Sequence, residues 1–430
     1  MKPIDLEITD LTLGGVGIAH NRGKAIFVPD ALPGEILLAR IVKRHASYDE
    51  ARGLEYMRVS HDRQIPRCNH FGKCGGCTLQ MLDPDRQVEL KSRTVLQILE
   101  RVGSVRPAVV DSPSRTSPWF YRRRARFHPR KVSQGIAFGY QGIHGSTVVP
   151  IQECPILESD VQALPGRLTQ VLGTLDISRR IRQIELVRGD RGQALILYLK
   201  QTETPADRKE LESSGSALGI PLYLASPASS GFSAIGLNTE LSLSYRIDEF
   251  DLDIGFGLSD FIQVNRDVNL KLVHDVVDWL AIAPTDRVLD LYAGVGNFTL
   301  PLAQTARAVT AVEGSVSAIE SLKRNLEQNQ KKNVSVQQAD LNRVPAGKWS
   351  QEAYQAVVLD PPRAGASSVL PHLAHWKPRR ILYVSCHPGT LARDARILVQ
   401  VLGYTFNRLK IYDMFPHTEH VEALAMFDHA

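Results

Sequence analysis

Cys386 stands far along the chain from the other four cysteines, Cys68, Cys74, Cys77 and Cys154. It closes the apolar run Ile381-Leu-Tyr-Val-Ser385, and His387-Pro-Gly-Thr390 follows, with a helix predicted from about Leu391. A thiol just before a helix N-terminus tends to a lowered pKa, which suits a nucleophile. The competing reading is a small buried hydrophobe, as most free cysteines are. Glu422 opens the last predicted strand and leads into Ala423-Leu-Ala-Met-Phe427. A carboxylate entering an apolar strand is expected to have a raised pKa and to suit proton transfer. Glu419, in a more polar turn, is the rival base. A thiol and a carboxyl together suit one chemistry well. A thiolate adding to carbon 6 of a uracil makes carbon 5 nucleophilic enough to take a methyl group. A base then removes the hydrogen left on carbon 5, and the thiolate departs.

A second set of residues surrounds Asp290-Leu-Tyr-Ala-Gly-Val-Gly-Asn-Phe298. Here a predicted strand ends and a helix begins, and Gly294 and Gly296 let backbone approach a ligand at the helix N-terminus. Thr299 stands where the dinucleotide fingerprint has Gly or Ala, so the motif is incomplete. Glu313, Asp340 and Asp360 end the next three predicted strands. Carboxyl ends of strands line the ligand crevice of an open α/β sheet, and an acid there can hold ribose hydroxyls. The layout resembles the class I S-adenosylmethionine methyltransferases. Asp360-Pro-Pro-Arg363 resembles the Asp/Asn-Pro-Pro-aromatic motif of amino-methylating enzymes. Arg363 in place of the aromatic argues against an exocyclic amine as acceptor.

The remaining cysteines read as metal ligands. Cys68-x5-Cys74-x2-Cys77 lies in a glycine-bearing loop, and Cys154 follows in Gln152-Glu-Cys-Pro-Ile156. Four thiolates fit a four-iron cluster or tetrahedral zinc, and spacing alone does not choose between them. His417 and His420 lack a third partner and read as turn or RNA-contact residues.

The elements that must position these groups fall into three stretches. Residues 1–60 carry short apolar runs at 6–8, 16–19, 25–28 and 35–42 separated by Gly, Pro and Asn, the pattern of a small β-barrel. Residues 61–250 hold the cysteines, one amphipathic helix at 84–103 and a strand-rich remainder; that helix is a candidate to pack on the catalytic part. A strand is predicted over Trp119–His128, with Arg122, Arg124 and Arg126 on one face. From about 251 to 430, strands at 287–292, 308–313, 334–339, 356–360 and 380–385 alternate with helical stretches, and two late strands follow at 410–413 and 422–427. That alternation predicts an α/β fold with a mostly parallel, doubly wound sheet.

The 430 residues suffice for two or three domains, and 43% hydrophobic content supports packed cores. A net charge of +5 permits a polyanionic partner without demanding one. No apolar run of membrane-spanning length and no signal core are present, so a cytoplasmic protein with no membrane partner is expected.

Cys386 in Ser385-Cys-His-Pro-Gly-Thr-Leu-Ala-Arg-Asp394, Glu422 in Phe415-Pro-His-Thr-Glu-His-Val-Glu422, Asp360-Pro-Pro-Arg363 and Asp260-Phe-Ile-Gln-Val-Asn265 together resemble the RNA 5-methyluridine methyltransferase family. The resemblance covers nearly the whole chain. It implies Cys386 as nucleophile, Glu422 as proton acceptor, and contacts from Gln263, Tyr292, Asn297, Glu313, Asp340 and Asp360 to S-adenosylmethionine. Tyr292-Ala-Gly294 stands where the family often has Phe-Cys-Gly. The cysteine triplet resembles that of the subfamily acting on large-subunit ribosomal RNA, where it and a fourth cysteine hold a [4Fe–4S] cluster. Residues 1–60 resemble a TRAM domain, an OB-like RNA-binding barrel. Trp119–Phe127 resembles the family's basic segment, able to stack bases and hold phosphates. The joint presence of barrel and cluster implies 23S ribosomal RNA as substrate. No stable protein partner is evident in the sequence, and a monomer is expected. The same chemistry on transfer RNA or another ribosomal uridine is the near alternative. A non-catalytic iron–sulfur RNA-binding factor and a small-molecule dehydrogenase are the alternatives from other classes.

Overall fold

The computed structural model describes residues 2–143, 145, 147–227, 231–236, 241–343 and 346–429. Strands Ile4–Leu11, Val16–Asn21, Lys24–Pro29, Ile36–Arg44 and Tyr48–Arg58 close into a five-stranded barrel, with the fifth strand inserted between the third and fourth. Alternation along the strands turns Leu6, Ile8, Ile26, Val28, Leu37 and Ala39 inward. The fifth strand escaped the sequence reading. Its burial pattern is mostly half-buried and exposed, so it carries no clear alternation of apolar residues. Buried Glu35 seals one end: it accepts from Arg63 Nε at 2.6 Å and from the Leu32 amide at 2.8 Å.

The middle region builds a seven-stranded sheet in the order Ser233–Ile235, Leu222–Ala225, Gln193–Leu199, Ile181–Arg188, Arg124–Val132, Gly135–Gln141 and Val148–Pro150. Helix Leu164–Leu172 packs Leu164, Leu168 and Leu172 on it. The strand predicted from Trp119 begins instead at Arg124. Phe120 has φ +58°, a left-handed conformation that breaks an extended run, and Arg122 makes only isolated bridges.

The C-terminal region forms an eight-stranded sheet in the order Val334–Gln338, Ala308–Glu313, Arg287–Leu291, Ala356–Leu359, Arg380–Ser385, Glu422–His429, Tyr404–Tyr412 and Val109–Val110. The first five strands run parallel, and Glu422–His429 is antiparallel to both neighbours. The inner parallel strands are buried on both faces, hence the near-continuous apolar runs Ala356–Leu359 and Ile381–Val384, whereas the edge strand Val334–Gln338 is only half-buried or exposed. Helix Arg266–Leu280 is capped by Asn265, and helix Val316–Gln328 by Ser315. Each such cap stabilises its helix by about 1 kcal/mol.

Residues 84–114 belong spatially with this sheet. Helix Pro84–Ile98 starts at its Asp83 cap with Pro84 in the first turn, continues as a π-turn over Leu99–Gly103, and ends at Ser104 in the left-handed region. Val95, Leu99 and Val105 enter the same core as Leu391, Ala392 and Ala395. Val102, which helical spacing puts on the same side as Val95 and Leu99, is 53% exposed because the π-turn rotates it outward. Val109–Val110 then pairs with Arg408–Leu409 as the eighth strand. Among the described residues, no helix is long and apolar enough to cross a membrane.

Candidate active site

The glycine turn ends strand Arg287–Leu291. Tyr292, Gly294 and Gly296 have φ +65°, +54° and +101°. At Gly294 a Cβ would meet nothing within 4 Å, so the backbone there faces open space. Tyr292 and Ala293 donate their amides to Val312 O, and Gly294 donates to Glu313 Oε2 at 2.9 Å. Glu313 Oε1 accepts from the Gly314 and Ser315 amides, both at 2.7 Å. The carboxylate of Glu313 is thereby fixed across the crevice mouth.

Asp290, fully buried below the turn, bonds the Thr299 hydroxyl through Oδ2, while its Oδ1 has no partner. Burial pushes its carboxyl up to about 7, partly relieved by Thr299 and reinforced by Glu313. Asp360 is likewise raised to about 7, by burial first and then by Asp290 and Glu313. Tyr292 is raised to about 12, mainly by burial. Asp340 lies exposed at the rim, bonded to the Asn342 amide at 3.0 Å. Asn297 faces inward: its Oδ1 accepts from Tyr245 and from Asn269, both at 2.9 Å, and its Nδ2 donates to Asn269 at 3.0 Å. Gln263 is half-buried on the segment 257–265, which Asp260 braces by accepting from the Gly257 amide at 2.7 Å.

Because Asp290 holds its proton more tightly when folded, its burial costs nothing below the unfolded value of 3.8, where both states are protonated. As pH rises from there to about 7, the unfolded chain ionises while the folded one does not, and stability falls. Asp290→Asn, which can still accept from Thr299, is therefore expected to flatten the decline of the melting temperature between pH 4 and 7. Parallel melting curves for parent and variant across that window would sink this reading.

The next two strands bring the proposed chemical pair together. Ser385 pairs with Ala423, so the register carried one step further sets Cys386 opposite Glu422. Cys386 sits directly before His387, which caps helix Pro388–Arg396 by accepting from the Thr390 amide at 3.2 Å. Its thiol is not lowered as expected from that position. Burial, then Glu422 and Asp360, push it up to about 11, outweighing Arg363. Glu422 is 3% exposed and held well above the usual carboxylate range by burial and by Asp360. Cys386, Glu422, Asp360, Asp290 and Glu313 thus form one electrostatic neighbourhood of acids. A bound cation would relieve this repulsion, and the unpartnered Asp290 oxygen fits a polar ligand. Glu419 is exposed on the far side of its turn, 3.6 Å from where a Cβ on Gly14 of the barrel would lie.

A cavity of about 600 Å³ opens in front of Cys386. Arg363, Phe261, Phe415, Thr418 and His420 line it together with Cys386, and so do Cys68, Cys74, Cys77 and Cys154. Burial pushes Cys74 up to about 11 and Cys77 to about 12. The donor types suit a soft metal centre, but among the described residues no three such side chains are gathered closely enough to hold a metal.

The basic segment is partly internal. Arg124 donates to Glu185 at 2.8 Å and to the carbonyls of Asp260 and Leu258, strapping the segment before Gln263 to the middle sheet. Arg123 is buried against Asp190, at 2.8 Å. Arg126 alone of Arg123, Arg124 and Arg126 has a largely exposed side chain. Sequence reasoning also missed Lys91 and Gln87. Their signal was present: at i, i+4 they fall on the same buried face of helix Pro84–Ile98 as Val88 and Val95.

Residues 84–429 match the family described as tRNA (Uracil-5-)-methyltransferase. An Alkalilimnicola ehrlichii protein, the 23S rRNA (uracil(1939)-C(5))-methyltransferase RlmD, is 39% identical over 429 residues, covering 99% of this chain and 96% of the relative. The Stenotrophomonas maltophilia (strain R551-3) protein of that description is 38% identical, with 99% and 97% covered. The crystal structure of a Pyrococcus abyssi tRNA (uracil-54, C5)-methyltransferase with S-adenosyl-L-homocysteine superposes with a TM-score of 0.73 at 26% identity, covering 99% of this chain and all of that one. A match of this extent to both sequence and fold means that the chain belongs to the tRNA (uracil-5-)-methyltransferase family, the RNA uracil-C5 methyltransferases.

Proposed function

We propose that the protein transfers a methyl group from S-adenosyl-L-methionine to carbon 5 of a uridine in 23S ribosomal RNA. The observation that supports this best is the meeting of Cys386 and Glu422 across adjacent strands, beside the acids at the strand ends. Near-full-length similarity to ribosomal RNA enzymes supports the substrate. Gln263, Tyr292, Asn297, Glu313, Asp340 and Asp360 are the residues that would hold the methyl donor, which would supply an electrophilic methyl group on a positively charged sulfur.

In this reading the Cys386 thiol gives its proton to solvent water and its sulfur adds to carbon 6 of a uridine turned out of its stack into the cavity, moving the carbon 5–carbon 6 electron pair into an enolate. Carbon 5 takes the methyl group as the donor's sulfur keeps the bonding pair and leaves as a neutral thioether. Glu422, as the carboxylate, removes the hydrogen from carbon 5, and the Cys386 sulfur leaves as carbons 5 and 6 regain their double bond. Arg363 is the cation that opposes the acids at the thiol. The three-part division at 60 and 250 gives the barrel to RNA binding, the middle region to the cysteine group and the C-terminal sheet, which residues 84–114 join, to methyl transfer.

Incubation of the protein with labelled donor and unmodified 23S rRNA, with transfer RNA in parallel, is expected to label one 23S uridine at carbon 5. Label confined to transfer RNA would redirect the substrate, and binding of RNA without any label would favour a non-catalytic factor.

Cys68, Cys74, Cys77 and Cys154 are the ligands we assign to a [4Fe–4S] cluster, because four thiolates fit it and the triplet resembles that of the subfamily acting on large-subunit ribosomal RNA. Protein purified without oxygen is expected to be brown, with close to four irons per chain, and Cys74→Ser to lose most of that iron. A colourless protein with one zinc would overturn the assignment.

A further inference from the structure

Glu422 follows a segment with no regular secondary structure, residues 413–421, whose shape must be set from outside. Three side chains from distant parts of the chain grip it. Lys91, 0% exposed, donates to Asp413 Oδ1 at 2.7 Å and to Phe415 O at 2.9 Å. Tyr121 donates its hydroxyl to Pro416 O at 3.1 Å. Gln87 Oε1 accepts from the His417 amide at 2.9 Å, and Gln87 Nε2 lies 3.1 Å from His417 Nδ1. His417, with φ +66°, also accepts at its carbonyl from the amides of Thr78 and Leu79, immediately after Cys77.

We propose that Lys91, Gln87 and Tyr121 are positioning residues that hold the 413–421 segment so that Glu422 meets the carbon-5 hydrogen of the substrate. The inference deepens the proposed function and rests on it. A buried ion pair is a poor source of net stability, since desolvation consumes most of its attraction. Its defined geometry is better explained by what it holds. The same segment supplies Phe415, Thr418 and His420 to the cavity before Cys386. Among the described residues, none of the three clamps is hydrogen-bonded to the glycine turn, Glu313 or Asp360, which belong to other strands. Loosening them therefore leaves donor binding in place and, although the cavity wall moves with the segment, slows the step that needs Glu422 more than the attack of the thiol.

The test is to measure turnover, donor affinity and the fraction of protein covalently joined to RNA on denaturing gels. Lys91→Met and Gln87→Leu are expected to lower turnover by about a hundredfold, the scale of a misplacement near 1 Å, to keep donor affinity within about twofold, and to accumulate adduct. Tyr121→Phe keeps the ring and removes one hydrogen bond, so it reports even if the other two fail to fold; it is expected to lower turnover severalfold with a matching rise in adduct. Parental turnover in Tyr121→Phe, or reduced turnover in the folded variants without a rise in adduct, would overturn the inference. Glu422→Gln runs alongside. Adduct there but not in the clamp variants defeats the clamp alone, whereas no adduct in Glu422→Gln defeats the proposed base.

Discussion

Cys386→Ala is expected to leave a folded protein that binds the methyl donor with parental affinity and transfers no methyl group, a fall on the order of 10⁴-fold or more. Without the thiolate, carbon 5 of the uracil stays a poor nucleophile, and no neighbouring group replaces a bond to carbon 6. The substitution removes one sulfur at the end of strand Arg380–Ser385, while the strand and the His387-capped helix keep their hydrogen bonds. It also removes a group that burial and two acids hold up to about 11. Melting temperature is therefore expected to change little. Labelled-donor transfer to RNA, read with a melting curve and a donor titration, checks all three outcomes. Methyl transfer at even a hundredth of the parental rate would mean that another group attacks the base.

Glu422→Gln is expected to separate the two halves of the reaction. The amide has the shape of the carboxylic acid but cannot take a proton, so thiol addition and methyl transfer proceed and release stalls. Turnover is expected to drop by about 10²- to 10⁴-fold, the usual contribution of a positioned base. Protein and methylated RNA are expected to migrate together on a denaturing gel. The substitution also takes away a buried acid held well above the ordinary carboxylate range. An uncharged amide is not penalised as the carboxylate is, so the variant is expected to be at least as stable as the parent above neutral pH. Turnover near the parental rate would shift suspicion to Glu419, which lies exposed in the turn before it.

The pair also shows how burial can oppose position. A thiol before a helix N-terminus is expected to ionise readily. Here it sits in a crevice with Glu422 and Asp360, and their repulsion together with desolvation outweighs the helix. The sequence marks the helix start through His387-Pro-Gly but carries no sign that the neighbouring strand delivers a second acid to the same point. In the proposed site a positively charged donor held by Asp360 would be favoured by the same acids, so that their repulsion would promote binding of the reactant.

Much of the C-terminal fold was legible because local pattern and tertiary role agree there. The apolar runs Ala356–Leu359 and Ile381–Val384 have to be buried on both faces, and such runs belong to parallel strands. Their ends carry the chemistry, so Asp360 and Cys386 could be picked out as strand-end residues, and Glu422 as a strand opening. The fifth barrel strand, Tyr48–Arg58, was not legible, since its exposed residues carry no alternation. The segment 119–123 was misread as strand because alternating arginines and aromatics mimic the period of two, while the left-handed Phe120 leaves no mark in such a pattern.

Local covalent order alone carries the kind of chemistry: a thiol, an acid, a glycine turn and strand-end carboxylates. Which of these groups meet is settled in three dimensions. The register that faces Cys386 with Glu422, the burial that raises both, and the reach of Lys91 to Asp413 across 322 positions all depend on contacts between distant segments. Hydrogen bonds and desolvation act through space, and a reading of neighbours along a chain contains no distances between residues that are not neighbours.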